Sequence, residues 1–146
     1  MTCRKRCAKA LILAPVLLMS AVSLGQTPKR NLGIPQFVSM IRLLSNPMEF
    51  DEKPVVVAGF LRLEFEGNEL YLHREDYEES LLKNGLWVEL DPSVKDEANR
   101  LNMHYVTVRG NFFASSLGHM GLTSGTILIQ QVRARPPTVA RSNGKY

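Results

Sequence analysis

From Pro54 to Phe65 the chain alternates with the period of a β-strand, and this stretch limits the fold more than any other. Val55, Val57, Gly59, Leu61, Leu63 and Phe65 fall on one face, because side chains of a strand switch sides at every residue. The other face starts apolar, with Val56, Ala58 and Phe60, and ends charged, with Arg62, Glu64 and Glu66. It is therefore expected to be covered only in its first half. A strand this long with Gly59 inside it is expected to bend sharply there, as closure of a small barrel requires. Gly67-Asn68 predicts a tight hairpin, and Glu69 to His73 returns as a second strand with Leu70 and Leu72 inward.

The segments on either side supply the rest of a small β domain. Pro35 suits the first turn of a helix. Phe37, Met40, Ile41 and Leu44 then make one apolar stripe, stopped by Asn46-Pro47. Arg74 to Asn84 is charged, is anchored by Tyr77, Leu81 and Leu82, and reads as a short helix ended by Gly85. Leu86 to Leu90 alternates as a third strand, and Ser93 to Leu101 reads as another short helix. Tyr105 to Phe113, broken by Gly110, is a fourth strand. A Ser- and Gly-rich loop, Ala114 to Gly125, leads to the fifth, Thr126 to Val132.

Five strands, with an N-terminal amphipathic helix and a short helix between strands three and four, match the connectivity of the OB-fold. The expectation is thus a mainly β domain: a five-stranded antiparallel OB-like barrel over residues 34–133. Three segments carry a resemblance. They are Asn46-Pro47 with Phe50-Asp51, Lys53, Val55, Val57 and Gly59-Phe60-Leu61; Gly67-Asn68 with Leu70 to Tyr77; and Leu117 to Leu122 with Ser124-Gly125. Over about 36–132 the chain resembles a family of small bacterial exported OB-fold-like domains. That resemblance implies the fold and carries no activity that transfers.

The N-terminus gives the expected destination. Arg4, Lys5, Arg6 and Lys9 precede an uncharged run, Ala10 to Leu24, that is interrupted by Pro15. This has the form of a secretory signal over residues 1–25, cut near Gln26. An uncleaved anchor is the alternative, though a bilayer span needs about 20 apolar residues. The expected localisation is periplasmic or secreted, with no stable membrane span after cleavage. Residues 26–33 read as a linker, and 134–146 as a basic tail without apolar pattern, expected to be disordered. Cys3 and Cys7 leave with the signal, so the mature chain is expected to contain no disulfide and to rely on its core.

Charge bears on partners. The whole chain is +4, but between Asn31 and Val132 eight basic residues face fourteen acidic ones, a net of −6. Such a surface argues against nucleic acid, whose binding draws on cations. The expected partner is a protein or small-molecule ligand.

Chemistry-bearing residues are sparse. His73-Arg74-Glu75 has the H-x-E form of zinc deaminases, without the cysteines that complete such a site. A metal-dependent enzyme would have to draw on His73, His119 and a nearby carboxylate. Surface histidines beside a solvated acidic segment are the simpler account. Ser115, Ser116 and Ser124 lie near His119 in sequence but in no nucleophile elbow. The sequence therefore favours a non-catalytic binding module and implies no cofactor or metal. With the leucines of strands two and three inside, parity turns Tyr71, His73 and Trp87 outward, toward the face on which OB barrels bind ligands. The long loop, with His119 and Met120, would wall that face. The expected binding set is Tyr71, His73, Trp87, His119 and Met120, unless a helix covers the aromatics.

Overall fold

The computed structural model describes residues 33–136. The expected signal segment and most of both the linker and the tail lie outside the described residues. Six strands form one sheet: β1 (Gln36–Phe37), β2 (Pro54–Arg62), β3 (Glu69–Tyr71), β4 (Gly85–Leu90), β5 (His104–Phe113) and β6 (Thr126–Ala134). Three short helices join them: α1 (Met40–Ser45), α2 (Arg74–Glu78) and α3 (Lys95–Arg100). None of the described helices is long and apolar enough to cross a membrane.

The circuit β2-β3-β4-β6-β5 closes because β2 also pairs with β5, in register from Pro54 opposite Asn111 to Leu61 opposite His104. The result is a closed five-stranded barrel to which β1 adds a short parallel pairing beside Val55 and Val56. The barrel is mixed and not wholly antiparallel, since β4 and β6 run parallel from Trp87 opposite Thr126 to Leu90 opposite Ile129. Direction can alternate all the way round a closed ring only if the ring has an even number of strands. Five strands must contain a like-directed pair, and here it falls where β6 inserts between β4 and β5.

Parity sorts the interior as expected. Val55, Val57, Leu61, Leu70, Leu86, Val88, Val106, Val108, Ile127 and Ile129 are buried in one core, each contributing about 1.5–3 kcal/mol on removal from water. Leu72 is partly buried against it. Two glycines let the walls turn. A Cβ on Gly59 would lie 2.5 Å from the Tyr71 carbonyl oxygen, and one on Gly110 only 2.2 Å from that of Leu128. Gly110 also borders a bulge, because Arg109 faces Gln131 while Gly110 faces Ile129.

Four local expectations are corrected. The N-terminal helix begins at Met40, with the Ser39 hydroxyl accepting from the Arg42 N–H at 3.2 Å. Its buried residues are Met40 and Leu43, while Ile41 and Phe37 are exposed; Phe37 belongs to β1 and does not start a helical stripe. β2 stops at Arg62, and Phe65 is 92% exposed in a six-residue connection. The Asn102 side chain explains that stop: its Oδ1 accepts from the Leu63 N–H at 2.8 Å and its Nδ2 donates to the Leu63 carbonyl at 2.9 Å. The outer face of β2 is covered at its far end and not its near end, since Phe60 is fully buried while Val56 and Ala58 are only half-buried. Finally, the segment expected to be helical over 74–84 winds into α2 only as far as Glu78 and closes with a single 3₁₀ turn at Leu82–Asn84.

Candidate functional site

The outer face of β3 and β4 carries an aromatic and acidic cleft of about 250 Å³. Its floor follows from strand parity, which turns Glu69, Tyr71 and Trp87 away from the core. α2 then places Tyr77 over that floor: its ring lies 5.8 Å from that of Tyr71 and 6.1 Å from that of Phe60. Tyr105 adds an edge contact to Phe60 at 5.5 Å. These four rings form a second apolar cluster outside the barrel, which buries Tyr71 to 3% exposure.

α2 is held in place by one buried carboxylate. Asp76 Oδ2 accepts from the His73 N–H at 2.7 Å, and its Oδ1 accepts from Asn84 Nδ2 at 2.7 Å. Asp76 therefore ties both ends of the segment together. Of the acidic run noted in the sequence, Glu75, Glu78 and Glu79 are exposed and Asp76 is structural.

The far wall is the loop 114–125. Gly118 passes against Trp87 with φ +67°, and a Cβ there would fall 2.6 Å from the Trp87 Cβ. This is a close approach in left-handed backbone that glycine alone takes without strain. His119 stacks on Trp87, with ring centres 6.4 Å apart at 30°. Composition suggests a loose loop, yet it is tied down. Lys83 Nζ donates to the Gly121 and Thr123 carbonyls at 3.1 and 3.0 Å. Ser124 Oγ donates to the Lys83 carbonyl at 2.7 Å, and Thr126 Oγ1 to the Ser116 carbonyl at 2.7 Å. Ser116 and Ser124 are thus engaged in holding the wall.

Carboxylates set the cleft's electrostatics. Glu64, Glu66 and Glu69 line it. Arg62 Nη2 pairs with Glu64 Oε2 at 2.5 Å, and its guanidinium carbon stands 5.4 Å from the Tyr77 ring centre. Glu69 is 8% exposed, and its Oε2 accepts a short hydrogen bond from the Tyr71 hydroxyl. Burial raises the Glu69 carboxyl above the ordinary carboxylate range; the Tyr71 hydrogen bond opposes this, and the charge of Glu64 adds to it. Burial and the Glu69 hydrogen bond also push the Tyr71 phenol upward, so it stays protonated as the donor.

The structure therefore unites Tyr71, Trp87 and His119 in one cleft and leaves the other two expected residues outside it. Tyr71 is on the predicted face but is covered by α2. Trp87 is half-buried, with Gly118 and His119 of the loop against it. His73 lines a different cleft, beside Arg74 and His104, because the strand ends at Tyr71 and the chain turns into α2. Met120 is 79% exposed, outside the cleft, with φ +56°. His73 and His119 thus line separate clefts, and among the described residues no group of three His, Cys, Asp or Glu side chains is placed to hold a metal ion. Tyr77, Glu69 and Lys83 were missed as site residues. Of these, Glu69 alone was detectable, since parity places it beside Tyr71. No protein-family model matches the chain, and a search of curated proteins returns no significant match.

Proposed function

We propose that this chain is an exported, non-catalytic binding module on an OB-like barrel, and that the Trp87 cleft takes its ligand. The stacked Trp87–His119 pair carries the reading: a half-buried indole is presented between a fixed loop and a ring-lined floor. The OB-like assignment is supported by five closed strands, by the Greek-key return of β6 to lie between β4 and β5, and by glycines at the bends. In that architecture the outer face of the second and third barrel strands and the loop before the last strand are the usual ligand surface. The same reading places the chain among the exported OB-like domains that its sequence resembles.

The expected ligand is a protein side chain or a small molecule of the cell envelope. Pockets for whole drug-sized molecules begin at about 300 Å³, so a cleft of about 250 Å³ suits a single ring or side chain. Three carboxylates around the rings repel phosphate, which disfavours nucleic acid here.

Trp87 is the chain's one tryptophan, so its emission reports on the cleft directly. Mature protein would be titrated with defined oligosaccharides, aromatic and basic tripeptides, polyamines and a single-stranded oligonucleotide. The reading expects a saturable change for a member of the first three classes, lost in His119→Ala while the thermal transition is kept. A response to the oligonucleotide alone, or one that survives His119→Ala, would refute it.

A further inference from the structure

We infer that the cleft beside α2 and the end of β6 is a separate site for a small oxyanion, a phosphate or carboxylate group. It has a volume of about 430 Å³ and is lined by His73, Arg74, Met103, His104, Tyr105 and Arg135, with Ala134 and Pro136 completing the wall. None of these is a carboxylate, although acidic residues outnumber basic ones in the domain.

The arginines carry the inference. Arg42, Arg62 and Arg100 each pair with a glutamate. Arg74, Arg109, Arg133 and Arg135 pair with no carboxylate among the described residues, and of these Arg74 and Arg135 line this cleft. Arg74 is held in place: its guanidinium carbon stands 5.1 Å from the Phe60 ring centre, and its Nη2 donates to the Met103 carbonyl at 3.5 Å. The backbone on both sides is also fixed. The Arg74 N–H donates to the Tyr105 hydroxyl oxygen at 3.1 Å, and the Arg135 N–H to the Tyr105 carbonyl at 2.9 Å. Because the Tyr105 oxygen accepts, its own hydrogen is available to a ligand. His104 Nδ1 donates to the Asn102 carbonyl at 2.8 Å, which fixes the ring as part of the wall and not as a donor to the ligand.

Two guanidinium groups and a phenol donor around one cleft match an oxyanion, which Arg engages by paired, charge-assisted hydrogen bonds. The ligand is small because the rest of the domain is net acidic, and long polyanions bind through many spread-out cations.

The test is an amide NMR titration of the mature chain with inorganic phosphate and with citrate at constant ionic strength, with chloride as the control. Saturable shifts are expected at His73, Arg74, Tyr105 and Arg135, with Trp87 unmoved, so this site stands or falls apart from the Trp87 cleft. Arg135→Gln, whose side chain makes no hydrogen bond or ion pair among the described residues, should weaken binding about tenfold, and Arg74→Gln/Arg135→Gln should abolish it. Co-sedimentation with phosphatidylglycerol but not phosphatidylcholine vesicles, lost in Arg135→Gln, would identify a lipid headgroup as the oxyanion's source. Its absence would identify a soluble one. Shifts no larger than with chloride, shifts unchanged in both variants, or an oligonucleotide bound far more tightly than phosphate would overturn the inference.

Discussion

Replacing Gly110 with alanine tests the barrel at its tightest point. Gly110 is paired on both sides, facing Val55 on β2 and Ile129 on β6. The added methyl would lie 2.2 Å from the Leu128 carbonyl oxygen, 2.8 Å from its carbon and 3.1 Å from the Ile129 Cα. All three are backbone atoms, so no side chain can rotate away. Relief requires β5 and β6 to separate locally by about 1 Å. Overpacking of this kind costs about 1–3 kcal/mol, and two ladder hydrogen bonds weakened at the bulge add about 1 kcal/mol each. The lower conformational entropy of unfolded alanine offsets about 0.5–1 kcal/mol. A net loss of about 2–4.5 kcal/mol follows, equivalent to a Tm lower by roughly 10 °C or more in a domain of this size. Urea unfolding followed by Trp87 emission would measure it. The cost should be graded: largest at Gly110, smaller at Gly59, where part of the obstruction is the Leu70 side chain, and small at Gly85, whose nearest neighbours are 3.2 Å or more away. A Gly110→Ala protein as stable as wild type would refute the reasoning, as would a loss at Gly85 equal to that at Gly110.

Glu69→Gln should raise the Tm at about pH 8 and lose its advantage toward about pH 4. The raised native carboxyl contributes stability that is present below the ordinary value of 4.5 and lost as pH rises through the raised one; a Tm–pH series in which the variant is no better at high pH would contradict this. Gly118→Ala, at φ +67° and against Trp87, should cost about 1–2 kcal/mol and shift Trp87 emission to the red as the loop lifts; unchanged emission would show that the loop does not cover the indole. Mass spectrometry of exported protein should find a chain starting within a few residues of Gln26 and unreactive to thiol reagents, whereas labelling at Cys3 or Cys7 would show that the signal is retained.

Much of the fold was legible because it rests on local periodicity. Alternation in Val55 to Leu63 and Leu86 to Leu90 gave the strands and their inward faces, and Gly59 and Gly110 marked close backbone contacts before any neighbour was known. Strand ends were less legible. β2 stops at Arg62 because Asn102, thirty-nine residues away, takes both backbone groups of Leu63, and no pattern near Phe65 announces that. The parallel β4–β6 pair was deducible in principle, since an odd closed ring excludes full alternation. It follows from closure of the whole barrel, and a reading made strand by strand does not reach it.

The site shows where parity stops being informative. Alternation fixes which way Tyr71 and Trp87 point, but not what comes to lie over them. Tyr71 is covered because α2 is short enough to be folded back by Asp76, whose two oxygens bind His73 and Asn84 at its opposite ends. Trp87 is covered only in part: Lys83, Thr126, Ser124 and the Thr123 hydroxyl, which donates to the Leu117 carbonyl at 2.8 Å, fasten the loop that sets Gly118 and His119 beside it. His73 leaves the set for a related reason: parity applies only while the strand lasts, and β3 ends two residues earlier. The same turn that removes it from the Trp87 face brings it to His104 and Arg74. One short helix thereby separates an acidic aromatic cleft from one lined by two arginines and no carboxylate on a single barrel, so on the reading proposed above ligands of opposite charge would not compete.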